Sequence, residues 1–434
     1  MSREVWVTGV GIACALGSDV EAVAEAQREG RSGAVHLSSA FDTSAFPVLA
    51  ACRVPGWNLQ ARLGELAAPL AGRDDRKAEF GWYAAVQALR DAFGSDEAAR
   101  QCFAELGPRG AVHLASGLVS TTIAEAEADL LPCFDGDRYD HDRAATALRE
   151  PSPFRARHFT DRVNHLIAWR YGVGGRSLVN HGACAAGAVA IGLGARWIRR
   201  GQCDVVLAGG YESMIHPFGV LSFQMLGALS ERQDCAPSEV SRPFDVSRDG
   251  FVIGEGGAVL VLEDAERARA RGARCWGKVL GLGTSLDAYR ITAPPPDGRG
   301  AVSAMRGALR EAGMDPSDID YINAHGTGTP LNDAAETAAI KRVFGGRGQA
   351  PPVSSSKSGL GHAVAAAGAV EAVLSLLALR DGIVPPTLNL HRPDPACDLD
   401  NVPLVAREAP LKAVLSNSFG FGGVNGSLVL GGAS

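Results

Sequence analysis

Nine cysteines are spread over the 434 residues with no CxxC pair and no even spacing. Neither a zinc framework nor a disulfide scaffold follows from them, and a reducing cytoplasm is the expected home. No charge of one sign dominates either. With 42 basic and 48 acidic residues intermixed and a net charge of −6, the chain lacks the electrostatic footprint of a protein whose main partner is nucleic acid. Long hydrophobic runs are missing too. The apolar stretch from Val5 to Leu16 is broken by Gly9 and Gly11, and Arg3 ahead of it is offset by Glu4, so it reads as a first strand and turn rather than a signal peptide. No uncharged run approaches the roughly 20 residues of a membrane helix. At 46% hydrophobic, 21% charged and 6% aromatic, the composition is that of an ordinary soluble globular protein without membrane or nucleic-acid partners.

Glycine is abundant: 53 residues, clustered in short motifs rather than in one linker, which suggests backbone packed close to ligands. Short β-branched runs, Gly-rich turns and Ala/Leu segments alternate along the chain, the pattern of a layered α/β fold. Strands are expected at Ala111–Ser116, Ser177–Val179, Asp204–Ala208, Ala258–Glu263, Lys278–Gly283, Ile319–Ala324, Ala413–Ser416 and Ser427–Leu430. Helices are expected at Ala78–Phe93, Ala185–Arg200, Gly300–Ala312, Asp333–Phe344 and Ala366–Arg380.

Three short words recur in the same order. Ala88-Leu89-Arg90-Asp91-Ala92 returns as Ala308-Leu309-Arg310-Glu311-Ala312, Ala185-Ala186-Gly187-Ala188-Val189 as Ala366-Ala367-Gly368-Ala369-Val370, and Val206-Leu207-Ala208-Gly209 as Val414-Leu415-Ser416-Asn417. Together they predict two similar α/β halves, residues 1–270 and 271–434, meeting near Arg271–Trp276. The segment from about 118 to 170 fits the repeat poorly and is expected to cap or join the first half. The stretch Ser285–Arg299, with Pro294-Pro295-Pro296, reads as a surface excursion.

Among the cysteines, Cys184 stands apart. It follows a strand, opens a helix and is flanked by small residues, so the helix dipole and free backbone N–H groups are expected to favour its thiolate. The other eight fit buried hydrophobes or inert thiols. His325 in His325-Gly326-Thr327-Gly328-Thr329-Pro330 and His362 in Lys357-Ser358-Gly359-Leu360-Gly361-His362 sit where strands end in Gly-rich loops. Ligands gather at such strand ends in layered α/β proteins. Lys357, between serines in an apolar segment, calls for a fixed partner. Asp333 and Glu336, just after Pro330, share one face of a helix start; as solvated acids they would merely suit the dipole. Phe419-Gly420-Phe421-Gly422-Gly423 packs aromatics among glycines that can present N–H groups to an oxyanion, or else form a tight hairpin with its rings in the core.

A cysteine at a helix start, HGTGTP, KSGLGH and the terminal GFGG, in that order from about Val5 to Leu430, together resemble the β-ketoacyl-acyl carrier protein synthases. The likeness is greatest to the elongating type II branch, which includes the type II polyketide ketosynthases. The resemblance implies a thiolase-like fold of two duplicated βαβαβαββ-type halves in an α-β-α-β-α arrangement. It places the nucleophile on Cys184, the catalytic histidines on His325 and His362, the lysine on Lys357 and a supporting acid on Glu336. It puts a gating ring on Phe421 with Phe419 beside it, and tunnel-lining positions on Leu118 and Phe223. No metal and no resident cofactor are implied, since acyl chains arrive on the phosphopantetheine of an acyl carrier protein. The implied partners are that carrier protein and a second ketosynthase subunit, like or unlike.

Some positions depart from the fatty acid pattern: Gly182 and Ala185 beside the cysteine, Val424 after GFGG, Val119-Ser120, Gly227, and the bulky segment Phe159–Trp169 with Arg162 and His165. They bear on substrate rather than on chemistry and lean toward a specialised pathway. Two other readings stand. A non-catalytic subunit that sets chain length typically lacks the nucleophile; a degradative thiolase would want a second cysteine near the C-terminal glycines.

Overall fold

Ten main strands carry the architecture, and their order repeats. The computed structural model describes residues 3–72, 75–117, 123–147 and 159–433. In chain order the strands are β1 (Val5–Ala13), β2 (Gly110–Ser116), β3 (Ser177–Asn180), β4 (Val205–Ser213), β5 (Ile253–Asp264), β6 (Gly277–Leu286), β7 (Tyr321–Asn323), β8 (Val353–Ser354), β9 (Ala413–Phe419) and β10 (Val424–Gly431). They lie side by side as β8-β7-β9-β10-β6-β1-β5-β4-β2-β3. From the seam outward, each set of five runs first, fifth, fourth, second, third. Directions repeat as well: the first two pairings on each side are antiparallel, and the outer two are parallel. At the seam, β1 and β6 pair only through Trp6 with Lys278 and Val7 with Gly277.

Both faces of this sheet are buried, which is why its strands read as continuous apolar runs. Val259 and Val261 of β5 pack with Phe80 and Leu89 of helix α1 (Arg76–Phe93) on the outside of the first half. Their neighbours Leu260 and Leu262 point the other way. They join Ile191 and Ile198 of α2 (Ala186–Arg199), Val370 and Val373 of a later helix (Ala367–Asp381), and Leu428 and Leu430 of β10. On the far side, Val429 packs with Met305 and Leu309 of Arg299–Ala312 and with Ile340 of Pro330–Phe344. The result is helix, sheet, paired helices, sheet, helix. With α3 as Pro217–Met225, the three later helices in chain order are α4 (Arg299–Ala312), α5 (Pro330–Phe344) and α6 (Ala367–Asp381).

The sequence echoes mark where these layers touch. A Cβ on Gly9 of β1 would lie 2.2 Å from the Ala88 carbonyl oxygen and 2.7 Å from the Ala92 Cβ of α1. One on Gly281 of β6 would lie 2.2 Å from the Ala308 carbonyl oxygen of α4, with Ala312 next to it. In the middle layer α2 and α6 cross at the second echo. A Cβ on Gly187 would meet the Ala369 nitrogen at 2.7 Å, and one on Gly368 the Ala188 nitrogen at 2.8 Å. The third echo falls on β4 and β9, which occupy the same place in the two strand orders.

Every predicted strand and helix is present, with ends shifted by a few residues. Within the expected cap, Ile123–Leu130, His141–Ala147 and Arg162–Tyr171 are helices; the last packs its buried Val163, Ile167 and Tyr171 against α1. No helix among the described residues is long and apolar enough to cross a membrane.

Candidate active site

Three strand ends deliver the candidate residues to one place. After β3 the chain turns at Gly182, whose N–H donates to the Asn180 side chain at 2.9 Å. It then passes through Ala183 at φ 48°, in the left-handed region. A 3₁₀ turn, Ala183–Ala185, carries Cys184 into the start of α2. Gly420, in the turn between β9 and β10, presses against this elbow. A Cβ there would sit 3.1 Å from the Cys184 nitrogen, so the turn reaches the cysteine because the residue is glycine.

His325 follows β7. Its loop is fixed by Glu336, whose carboxylate accepts the His325 N–H at 2.9 Å, the Gly326 N–H at 2.8 Å and the Asn417 side chain at 3.1 Å. Asp333 accepts from Phe244 and Gly328. Pro330 is the first residue of α5, so both acids leave the first turns on one face, as their spacing predicts. They are buried and hold the loop, so neither is a solvated acid. Burial pushes Glu336 up to about 7, against its backbone hydrogen bonds.

His362 follows β8 and the buried Lys357, whose ammonium is ion-paired with Glu371 of α6. Glu371 is the fixed partner that Lys357 called for, and the sequence reading missed it. The available signal was a lone charge in the run from Ala363 to Leu379, whose only other polar side chain is Ser375.

Cys184 Sγ and His362 Nε2 are 3.1 Å apart, and the two imidazoles are edge-on with centroids 5.3 Å apart. One donor atom from each of Cys184, His325 and His362 falls within 4.8 Å of the other two. Burial, then the Lys357 charge, hold His362 well below the usual histidine range; the same two causes and His362 itself do so for His325. Both are therefore neutral hydrogen-bonding groups at neutral pH. Cys184 differs from the sequence expectation. Burial pushes its thiol up to about 11, and this outweighs the opposing pull of Lys357 and of the Phe421 and Cys184 N–H groups. The free side chain is thus a thiol held against a neutral imidazole.

These groups open on a cavity of about 400 Å³ whose wall also carries Phe223, Phe419 and Phe421. Phe419 lies edge-on to His325. Phe223 of α3 stacks edge-on with Phe251, and Phe421 packs into the same cluster. The GFGG segment is both things the sequence allowed: a hairpin turn, with Gly422 and Gly423 at φ 81° and 76°, and a wall of the site. Lys357 stands behind the histidines, and Leu118 lies outside the described residues. The stretch 285–299 is a surface excursion, as the sequence suggests, and has a second role. It is exposed in part, but Asp287, Arg290, Ile291, Pro294 and Pro295 line the cavity.

Family models match nearly the whole chain, the beta-ketoacyl synthase N-terminal domain over residues 2–268 and the C-terminal domain over 276–391. The chain is 38% identical over 429 residues to 3-oxoacyl-[acyl-carrier-protein] synthase 2 of Coxiella burnetii, covering 99% of this chain and 98% of that one. It is also 38% identical over 435 residues to the granaticin polyketide putative beta-ketoacyl synthase 1 of Streptomyces violaceoruber, with 99% and 98% covered. The solved ishigamide ketosynthase/chain length factor superposes with a TM-score of 0.85 at 35% identity, over the full length of both chains. The duplicated sheet, the cysteine elbow facing two neutral histidines, and these full-length matches agree: the chain belongs to the beta-ketoacyl synthase family.

Proposed function

We propose that the protein is an elongating ketosynthase that joins an acyl thioester to a malonyl unit on acyl carrier protein by decarboxylative Claisen condensation. The reading rests above all on the Cys184–His325–His362 triangle at the wall of a cavity of about 400 Å³. In the first half-reaction the Cys184 sulfur attacks the acyl carbonyl while its proton passes to His362 Nε2 and on to the departing phosphopantetheine sulfur. The N–H groups of Cys184 and Phe421 hold the oxyanion. In the second, malonyl thioester loses carbon dioxide and its electron pair is held as an enolate by hydrogen bonds from the neutral His325 and His362. The enolate carbon attacks the acyl-cysteine, and the Cys184 thiolate leaves. The Phe421 ring serves as the gate between the cavity and the acyl chain.

Either a fatty acid or a type II polyketide pathway fits, since the relatives of both kinds are equally similar. A specialised substrate is favoured by two of the departures acting together: a Cβ on Gly182 would lie 3.7 Å from Val424, so both changes fall at the cysteine elbow. Working in the cytoplasm, the enzyme pairs with a second copy or a related ketosynthase-like subunit. A chain-length-setting subunit would have no use for the nucleophile. Against a thiolase, the described cavity wall carries Cys184 as its sole cysteine, with Phe421 at the C-terminal turn.

The test is intact-protein mass spectrometry after incubation with acylated carrier proteins, followed by malonyl carrier protein. Stoichiometric acylation of Cys184, discharged with release of carbon dioxide and a β-ketoacyl product, is expected. Acylation elsewhere, or none with any carrier-bound chain, overturns the proposal.

A further inference from the structure

The same three side chains have a second chemistry. We infer that Cys184, His325 and His362 bind a thiophilic divalent cation, zinc above all, and that the bound cation blocks acyl loading. One sulfur and two imidazoles form an open three-ligand set of the kind zinc accepts, with the fourth position left to water. A tetrahedral zinc with Zn–S near 2.3 Å and Zn–N near 2.0 Å spaces its donor atoms about 3.3–3.6 Å apart. Here Sγ and Nε2 of His362 are already at 3.1 Å, and all three donor atoms lie within 4.8 Å. Small side-chain rotations therefore suffice. The set is assembled from three separate strand ends of one buried core, and the fourth position faces the cavity.

Two further observations fit a visiting rather than a resident ion. The Lys357 ammonium, which would repel a cation and whose charge reaches both histidines, is offset in part by the Glu371 carboxylate paired with it, which favours a weakly held ion. Both histidine Nδ1 atoms are buried without a hydrogen-bond partner, so the outer contacts that strengthen permanent zinc sites are missing. Binding converts the Cys184 thiol to a zinc thiolate and releases one proton to solvent, with no change of oxidation state. Once acylated, the sulfur is a thioester and a poor ligand. Cation and acyl group thus exclude each other at the first half-reaction; this part rests on the proposed ketosynthase activity, and the binding itself does not.

The experiment titrates full-length protein with zinc chloride against a chromophoric chelator. It compares the wild type with Cys184→Ala, His325→Ala and His362→Ala, and with wild type alkylated by iodoacetamide and shown by peptide mass mapping to be modified at Cys184, a control that needs no substitution. One zinc per chain is expected, with affinity at least about tenfold weaker in each variant and in the alkylated protein. No binding, or equal affinity in wild-type and alkylated protein, overturns the site. In a second arm, zinc should slow acylation of Cys184 and added chelator should restore it. Binding with undiminished acylation overturns the block, whereas absence of acylation even without zinc refutes the ketosynthase reading and leaves the metal site standing.

Discussion

The two halves share one scaffold and divide the chemistry unequally. Each has an elbow of the same build: a 3₁₀ turn, Ala183–Ala185 or Val364–Ala366, entered through a residue with positive φ, 48° or 42°, and leading into a middle-layer helix. In the first the central residue is Cys184; in the second it is Ala365, packed among Ala115, Ala186 and Ala190. The segments before the second elbow carry His325, Lys357 and His362; in the first half the place of His362 is held by His181, whose ring nitrogens meet the Ser116 carbonyl and the Thr160 hydroxyl instead of a sulfur. Duplication therefore supplies the placement, and one half supplies the nucleophile while the other tunes the field around it.

The sharpest way to break this division is at the elbows. Cys184→Ala should lower condensation by at least roughly a thousandfold, with no acyl adduct by intact mass. Adding Ala365→Cys should not restore it, because the second elbow faces alanines. The histidines come next. Each replaced by alanine should cost about 10²- to 10³-fold in carbon dioxide release. His362→Ala should also slow loading, since its Nε2 touches Sγ, and His325→Ala should leave loading nearly intact; single-turnover assays of each half-reaction separate the two.

The scaffold itself should respond symmetrically. Gly187→Ala and Gly368→Ala each force a methyl group against the facing helix backbone and should destabilise the fold by about 1–3 kcal/mol, measured by denaturant unfolding. Unequal losses would show that the crossing of α2 and α6 is not equivalent from its two sides. Glu336→Gln should cost a comparable amount, roughly 1–3 kcal/mol, since an amide offers one acceptor oxygen where the carboxylate uses both. It also has a pH signature. Because Glu336 rises from 4.5 to about 7 on folding, the native state holds its proton longer than the unfolded chain, so this group's contribution to stability falls as pH rises through that window. The variant should lack that slope.

Much of this was legible in the sequence. The strands were readable because both sheet faces are buried, and the duplication because close backbone contacts restrict Gly9, Gly281, Gly187 and Gly368 and their alanine neighbours to small residues. Cys184, His325, His362 and Glu336 announced themselves through strand-end loops and helix starts. What escaped depends on distance in three dimensions. The ion pair of Lys357 with Glu371 joins a loop to a helix fourteen residues on, and the turn of Ser285–Arg299 back over the cavity is set by tertiary packing. Local signals also misjudged the cysteine: a helix start favours thiolate, but burial, invisible in a string of small residues, outweighs it.

The contact of Gly420 with the Cys184 elbow has a consequence for how the enzyme can be divided. One N–H of the oxyanion site belongs to Cys184 and the other to Phe421, on opposite sides of the seam between the halves. A chain severed between Ala270 and Gly277 would yield a fragment with the nucleophile but half an oxyanion site, and a fragment with the rest but nothing to acylate. Turnover would then report reassembly of the two pieces, making this fold a natural complementation reporter whose signal is its own reaction.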